Sequence, residues 1–175
     1  EDWYSLGGGQ LTLYAQESAV ETQLCDIPNL LIQKWPAPQF RITACLHLEN
    51  LKEGDAAGMV SQCGHYTGLL ALKKDGKLIL QQRTGNWTKN NEVRTDAAVL
   101  PEGTETLYLR MLVKQETEVS FCYSLAEDGE YRPVGEMVEA TPGRWVGVKA
   151  GLTAINEGGV PGGSAAVDYF VFEEL

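Results

Sequence analysis

Apolar and polar residues alternate with a two-residue period through Phe40, Ile42, Ala44, Leu46 and Leu48, with Arg41, Thr43, Cys45, His47 and Glu49 on the other side. That period predicts a strand with one buried face. Leu107, Leu109, Met111 and Val113 repeat the pattern against Thr106, Tyr108 and Arg110, and Val119, Phe121 and Tyr123 follow after a short turn, which predicts a hairpin. Thr67 to Lys73 and Lys77 to Arg83 flank Asp75-Gly76, a pair that supplies the positive φ angles of a tight primed turn. Asp128-Gly129 predicts a further turn. Other expected strands are Gln10 to Ala15, Leu30 to Trp35, Ala56 to Cys63, Val134 to Val138, Val146 to Ile155 and Ala165 to Glu173.

Roughly a dozen short strands separated by Gly, Pro, Asn and Asp, with no sustained 3.6-residue apolar stripe, predict an all-β chain folded as a two-sheet antiparallel sandwich. Residues 1–175 are expected to form a single domain, because 175 residues fall within the usual size of one. The glycine clusters Gly7-Gly8-Gly9 and Gly158-Gly159-Val160-Pro161-Gly162-Gly163 read as loops between strands.

Composition narrows the function classes. With 24 acidic against 14 basic residues the chain carries a formal charge of -10, which disfavours a nucleic-acid backbone or an anionic membrane surface. No run approaches the roughly 18 apolar residues of a helical span. Neutral ligands such as sugars remain open. Cys25, Cys45, Cys63 and Cys122 form no CxxC pair and are read as mostly buried thiols. A start at Glu1-Asp2, without an initiator Met, suggests a processed chain or a domain cut from a longer one, and no compartment is assigned.

Four separated segments resemble the β-sandwich domain that follows the five-bladed propeller in glycoside hydrolase family 43 β-xylosidases and arabinofuranosidases. Trp3-Tyr4-Ser5-Leu6 with Gly9-Gln10-Leu11-Thr12-Leu13, and then Asn29 to Lys34, are similar to the family's opening strands. Gly54-Asp55-Ala56-Ala57-Gly58-Met59 resembles its Ala-Gly-Leu strand. Tyr108-Leu109-Arg110 with Phe121, Tyr123-Ser124 and Asp128-Gly129 resembles its hairpin, with two extra residues in the turn. Gly143-Arg144-Trp145 to Leu152 and Val167-Asp168-Tyr169-Phe170 are similar to its closing strands. The resemblance implies a concanavalin A-like jelly roll, a catalytic β-propeller of the same polypeptide as partner, xylan or arabinose-containing polysaccharide as substrate of the whole, and a bacterial context. Where many family xylosidases place an aromatic residue that reaches into the propeller's active site, this chain has Lys52-Glu53-Gly54-Asp55.

The acid, base and orienting carboxylates of that family belong to the propeller, so no catalytic residue and no cofactor are expected here. Twenty-four carboxylates make chance pairs inevitable, yet none shows a spacing that predicts an acid and a base around a sugar. His47 and His65 suit ordinary strand and loop positions, and there is no Gly-x-Ser-x-Gly elbow.

Sugar binding needs an aromatic platform and a few polar groups. The candidates are Trp87, in the polar stretch from Arg83 to Arg94, with Arg83 and Arg94 at its ends; Tyr108 and Arg110, on the polar side of one strand; and Tyr66. Trp3, Trp35 and Trp145 flank apolar runs and are assigned to packing. Asp168, inside an apolar run, is a candidate calcium ligand, although Ca²⁺ takes six to eight oxygens. The leading reading is a noncatalytic accessory domain of a family 43-like glycoside hydrolase, with xylo- or arabino-oligosaccharide as the ligand. The alternative, a free-standing lectin-like carbohydrate-binding protein, requires Trp87, Tyr108 and Arg110 to be exposed together. An enzyme in its own right requires two carboxylates facing across a cleft.

Overall fold

The computed structural model describes residues 3–143 and 145–175, so Glu1, Asp2 and Arg144 lie outside the described residues. Fourteen strands are found among the described residues. They are β1 (Tyr4–Gly7), β2 (Gln10–Tyr14), β3 (Gln16–Glu17), β4 (Leu30–Lys34), β5 (Phe40–His47), β6 (Asp55–Gln62) and β7 (His65–Lys74), followed by β8 (Lys77–Asn86), β9 (Val93–Val99), β10 (Thr106–Lys114), β11 (Glu118–Ser124), β12 (Arg132–Glu139), β13 (Lys149–Asn156) and β14 (Ser164–Glu174). Sheet I runs β1-β2-β14-β5-β10-β11-β12; sheet II runs β3-β13-β6-β7-β8-β9, with β4 also on β13. Pairing is antiparallel except for the two-residue contact of β3 with β13. The structure is the two-sheet sandwich expected from the alternation.

The alternating residues meet as predicted. Phe40, Ile42, Ala44 and Leu46 of β5 and Leu107, Leu109, Met111 and Val113 of β10 pack against Ala57, Met59, Leu69, Ala71, Leu80, Leu152 and Ala154 of sheet II. Large side chains on sheet I thus face many small ones on sheet II, which lets the two layers interdigitate. One polar side chain crosses the gap. The Gln82 amide donates to the Glu136 carbonyl at 2.8 Å, and its oxygen accepts from the Glu136 amide at 2.7 Å. Gly135, at φ +74°, makes room for it, since a Cβ there would lie 2.5 Å from Gln82 Oε1. At the β7–β8 turn, Asp75 and Gly76 adopt φ of +52° and +73°, and the Glu53 carboxylate accepts from both of their amides.

Sheet II has a second apolar face. Ala56, Val60, Tyr66, Leu70, Leu72 and Ile155 point away from the main core and are covered by Leu24 and Ile27 from the segment before β4, which holds only a single 3₁₀ turn, Leu24–Asp26. Gly68 leaves the slot that Leu24 fills, for a Cβ there would lie 2.6 Å from Leu24 Cδ2. Asn29 ties the cover to β13 by donating to the Ala154 carbonyl at 2.6 Å and accepting from the Thr153 hydroxyl at 3.0 Å.

Several expectations are corrected. β8 continues to Asn86 and β9 occupies Val93–Val99, so the polar stretch holds more strand and a shorter loop than its composition suggests. β13 starts at Lys149 and not at Val146. Trp3 and Trp35 pack against the core, but Trp145 is 86% exposed at a bend, because the strand it was expected to precede begins four residues later. All four cysteines are free thiols, with Cys45 and Cys122 buried and Cys25 and Cys63 only half-buried.

Leu24 is the main apolar plug of a cover with little regular structure. Leu24→Ala is therefore expected to lower the unfolding free energy by about 2–5 kcal/mol, measured by urea denaturation; a change within about 0.5 kcal/mol would mean that the cover contributes nothing to stability.

Candidate functional site

Arg83 leaves β8 on the outer face of sheet II, beneath the covering segment, and is 0% exposed. Its Nη1 and Nη2 each donate at 2.8 Å to the two oxygens of Glu157, and Nε donates to Gln81. Arg94 of β9 donates from Nε to Glu92 at 2.8 Å and from Nη2 to the Thr22 carbonyl at 2.9 Å, and its Nη1 lies 3.0 Å from Glu157. The other Glu92 oxygen accepts from the Leu24 amide and the Tyr66 hydroxyl. Two guanidiniums and two carboxylates thus balance in charge and clamp the segment through Thr22 and Leu24.

This network overturns three ligand assignments. Tyr66 is 1% exposed and offers no ring face to a sugar; burial first, then the charge of Glu92, push its hydroxyl well above the usual phenol range. Arg83 is fully enclosed, and the donors of Arg94 are taken up by Glu92, Glu157 and Thr22. All three side chains lie on the outer face of sheet II, but that face is covered. Glu92 and Glu157 are neutralised by the arginines and nearly buried, so they are no acid and base for glycoside cleavage.

Trp87 is different. Its amide donates to the Gly64 carbonyl at 3.1 Å, and the turn around it is fixed by Asn86, whose side-chain oxygen accepts from the Thr88 hydroxyl at 2.7 Å, and by Asn91, whose oxygen accepts from the Asn86 amide at 3.0 Å. The indole is 55% exposed. It lines a pocket of about 230 Å³ with Cys25, Gln62, Cys63, Gly143, Val146 and Lys149. An aromatic face beside an amide and an ammonium offers an apolar platform with polar groups at its edge.

Tyr108 and Arg110 lie on the outer face of sheet I, half-buried and away from the Trp87 pocket. Arg110 donates from Nε to Thr43 at 3.0 Å and stacks its guanidinium 3.6 Å over the Tyr131 ring, a cation–π contact. Tyr108 sits opposite Cys45 across the β5–β10 ladder. The structure therefore does not bring Trp87 together with Tyr108 and Arg110.

Asp168 accepts from Gln10 Nε2 at 2.6 Å and contacts His47 Nε2 at 2.7 Å and the Cys45 thiol at 3.8 Å. The His47 hydrogen bond, followed by that of Gln10, holds its carboxyl below the usual carboxylate range. A nitrogen and a sulfur as nearest partners do not make the oxygen-rich shell of Ca²⁺, and the calcium assignment is corrected on that ground. Cys45, Asp168 and His47 do not form a nucleophilic triad either. The thiol faces the carboxylate, and burial, then the charge of Asp168, raise it to about 11, which suppresses thiolate. Sequence spacing singles out Asp168 alone and does not show this grouping.

The family of β-xylosidase C-terminal concanavalin A-like domains matches residues 1–173. Among solved structures, the chain is similar to the bifunctional GH43-CE protein of Bacteroides eggerthii (TM-score 0.83, 23% identity, 99% of this chain and 22% of that one). It is also similar to an engineered GH43 glycoside hydrolase described as having both endo-xylanase and exo-arabinofuranosidase activity (0.82, 17%, 98% and 36%). A third is the xylan β-1,4-xylosidase of Bacillus halodurans (0.79, 20%, 98% and 34%). The chain spans about a third or less of the length of these structures. No curated protein matches it.

The structural role of Arg83 is directly testable. Arg83→Met leaves Glu157 with one cation in a buried site and is expected to cost about 3 kcal/mol or more in urea denaturation. A variant as stable as the parent would return Arg83 to the ligand candidates.

Proposed function

The chain belongs to the family of β-xylosidase C-terminal concanavalin A-like domains, and on that premise we propose that residues 1–175 act as one noncatalytic accessory domain of a family 43-like glycoside hydrolase. Its partner is a catalytic propeller of the same polypeptide, and the substrate of the whole is xylan or an arabinose-containing polysaccharide. Support for the family context comes from relatives named as a xylan β-1,4-xylosidase and as an endo-xylanase with exo-arabinofuranosidase activity. Within the domain, xylo- or arabino-oligosaccharide contact is assigned to the Trp87 pocket.

The observation that carries this assignment is the exposed indole on a fixed turn, with Gln62 and Lys149 beside it. The apolar C–H face of a pyranose stacks on the ring, while the amide and ammonium hydrogen-bond its hydroxyls. A neutral sugar also avoids the repulsion that a chain of formal charge -10 presents to anions. The lectin-like alternative gains no support, because its three residues do not share one surface.

Tryptophan fluorescence during titration with xylo-oligosaccharides and arabinoxylan is expected to shift saturably in the parent chain and not in Trp87→Ala. No shift with any hemicellulose would remove the binding role and leave a packing domain.

A further inference from the structure

Cys45 and His47 are two residues apart on β5 and therefore project from the same face of sheet I. Asp168 follows the inward-facing Val167 on β14 and so takes that face too, at a β-bulge. The β14–β5 register pairs Val167 with Leu46 and then Tyr169 with Cys45, leaving Asp168 as the extra residue. The Cys45 sulfur, a His47 nitrogen and an Asp168 oxygen all lie within 4.8 Å of one another.

We propose that Cys45, His47 and Asp168 form a three-donor binding site for a divalent transition-metal ion of the Zn²⁺ class, with a fourth position open to water or an added ligand. Sulfur, imidazole nitrogen and carboxylate oxygen are the donors Zn²⁺ takes, at about 2.3, 2.0 and 2.0–2.2 Å. Those bond lengths in a tetrahedron separate the donors by roughly 3.3–3.8 Å. The observed 2.7 Å between His47 and Asp168 and 3.8 Å between Cys45 and Asp168 lie on either side of that range, and all three donors fall within 4.8 Å of one another, so side-chain shifts of about 1 Å bring them to bonding separations. The same donor set discriminates against Ca²⁺ and Mg²⁺.

Outer partners are already present. Gln10 holds the far oxygen of Asp168 at 2.6 Å, and the Thr106 hydroxyl lies 3.3 Å from His47 Nδ1. They orient the carboxylate and imidazole as the supporting groups of a metal site do. Access is from the side of His47 and Asp168, which are partly exposed, and Asp168 borders an open groove of about 390 Å³ between β1–β2 and β14. Coordination displaces the Cys45 thiol proton to solvent and leaves a metal–thiolate bond.

The test uses Co²⁺ as a spectroscopic stand-in. The 175-residue chain, titrated with micromolar Co²⁺, is expected to give a near-ultraviolet sulfur-to-cobalt charge-transfer band and visible bands of tetrahedral intensity. They should saturate at one ion per chain and be abolished by Zn²⁺. Cys45→Ser should remove the charge-transfer band, and His47→Gln and Asp168→Asn should each weaken Zn²⁺ binding by about tenfold or more in isothermal titration. Near-ultraviolet circular dichroism verifies that each variant is folded; if Cys45→Ser is not, the two isosteric variants carry the test. Absence of any band in the parent, a band that persists in folded Cys45→Ser, or unchanged Zn²⁺ affinity in both isosteric variants would overturn the site.

Discussion

A sheet with two apolar faces cannot remain in water on either side, and sheet II has two. In β7, Leu69 and Ala71 enter the space between the sheets while Leu70 and Leu72 point outwards. Antiparallel sheets commonly turn one polar face towards solvent, but the outward set on sheet II is apolar and requires a cover. The covering segment has almost no ladder of its own and is held by side chains instead. Arg83, Glu157, Arg94 and Glu92 are that fastening. Buried ion pairs repay their desolvation only with bidentate geometry and satisfied donors, and the Arg83–Glu157 fork at 2.8 Å on both arms meets that condition.

The same constraint explains which parts of the fold and of the site were legible in the sequence. β5 and β10 each turn one run of apolar residues into the core, so their alternation named the core residues individually, although Thr43 and Cys45 on the outer side of β5 are buried as well. Tyr66, Arg83 and Arg94 alternate to the outward side of their strands, and outward is where the structure puts them. A two-residue period reports which side a residue takes and not whether another segment lies over that side. A signal was present in Leu69-Leu70-Ala71-Leu72, an unbroken apolar run of the kind found in strands buried on both faces. β9 escaped because Val93-Arg94-Thr95-Asp96 has no apolar period, as befits an edge strand whose side chains are largely exposed.

The bulge in β14 was also partly legible. Ala165 and Val167 enter the core, and the next inward residues are Phe170 and Phe172; an unbroken period would have taken 169 and 171. That one-residue slip is the mark of an inserted position. Asp168 takes the polar face simply by following inward Val167, and the slip places it beside Tyr169 on that face. The residues it meets there, on β5, could not be read from the slip alone, because strand order and register are set by the whole sheet.

The two faces where ligands were sought differ in how far they are already occupied. On sheet I, Arg110 stacks on Tyr131 and donates to Thr43, and Tyr108 lies over Cys45. A polysaccharide would have to displace these interactions before making its own, which sets a cost against each hydrogen bond it forms there. The Trp87 ring has no such competition over its exposed part, and its backbone is already held by Gly64, while Asn86 and Asn91 fix the turn. Little ordering entropy therefore remains to be lost on binding. Preorganisation, more than aromatic content, favours the end of the sandwich over its broad face as the place where a sugar would be held.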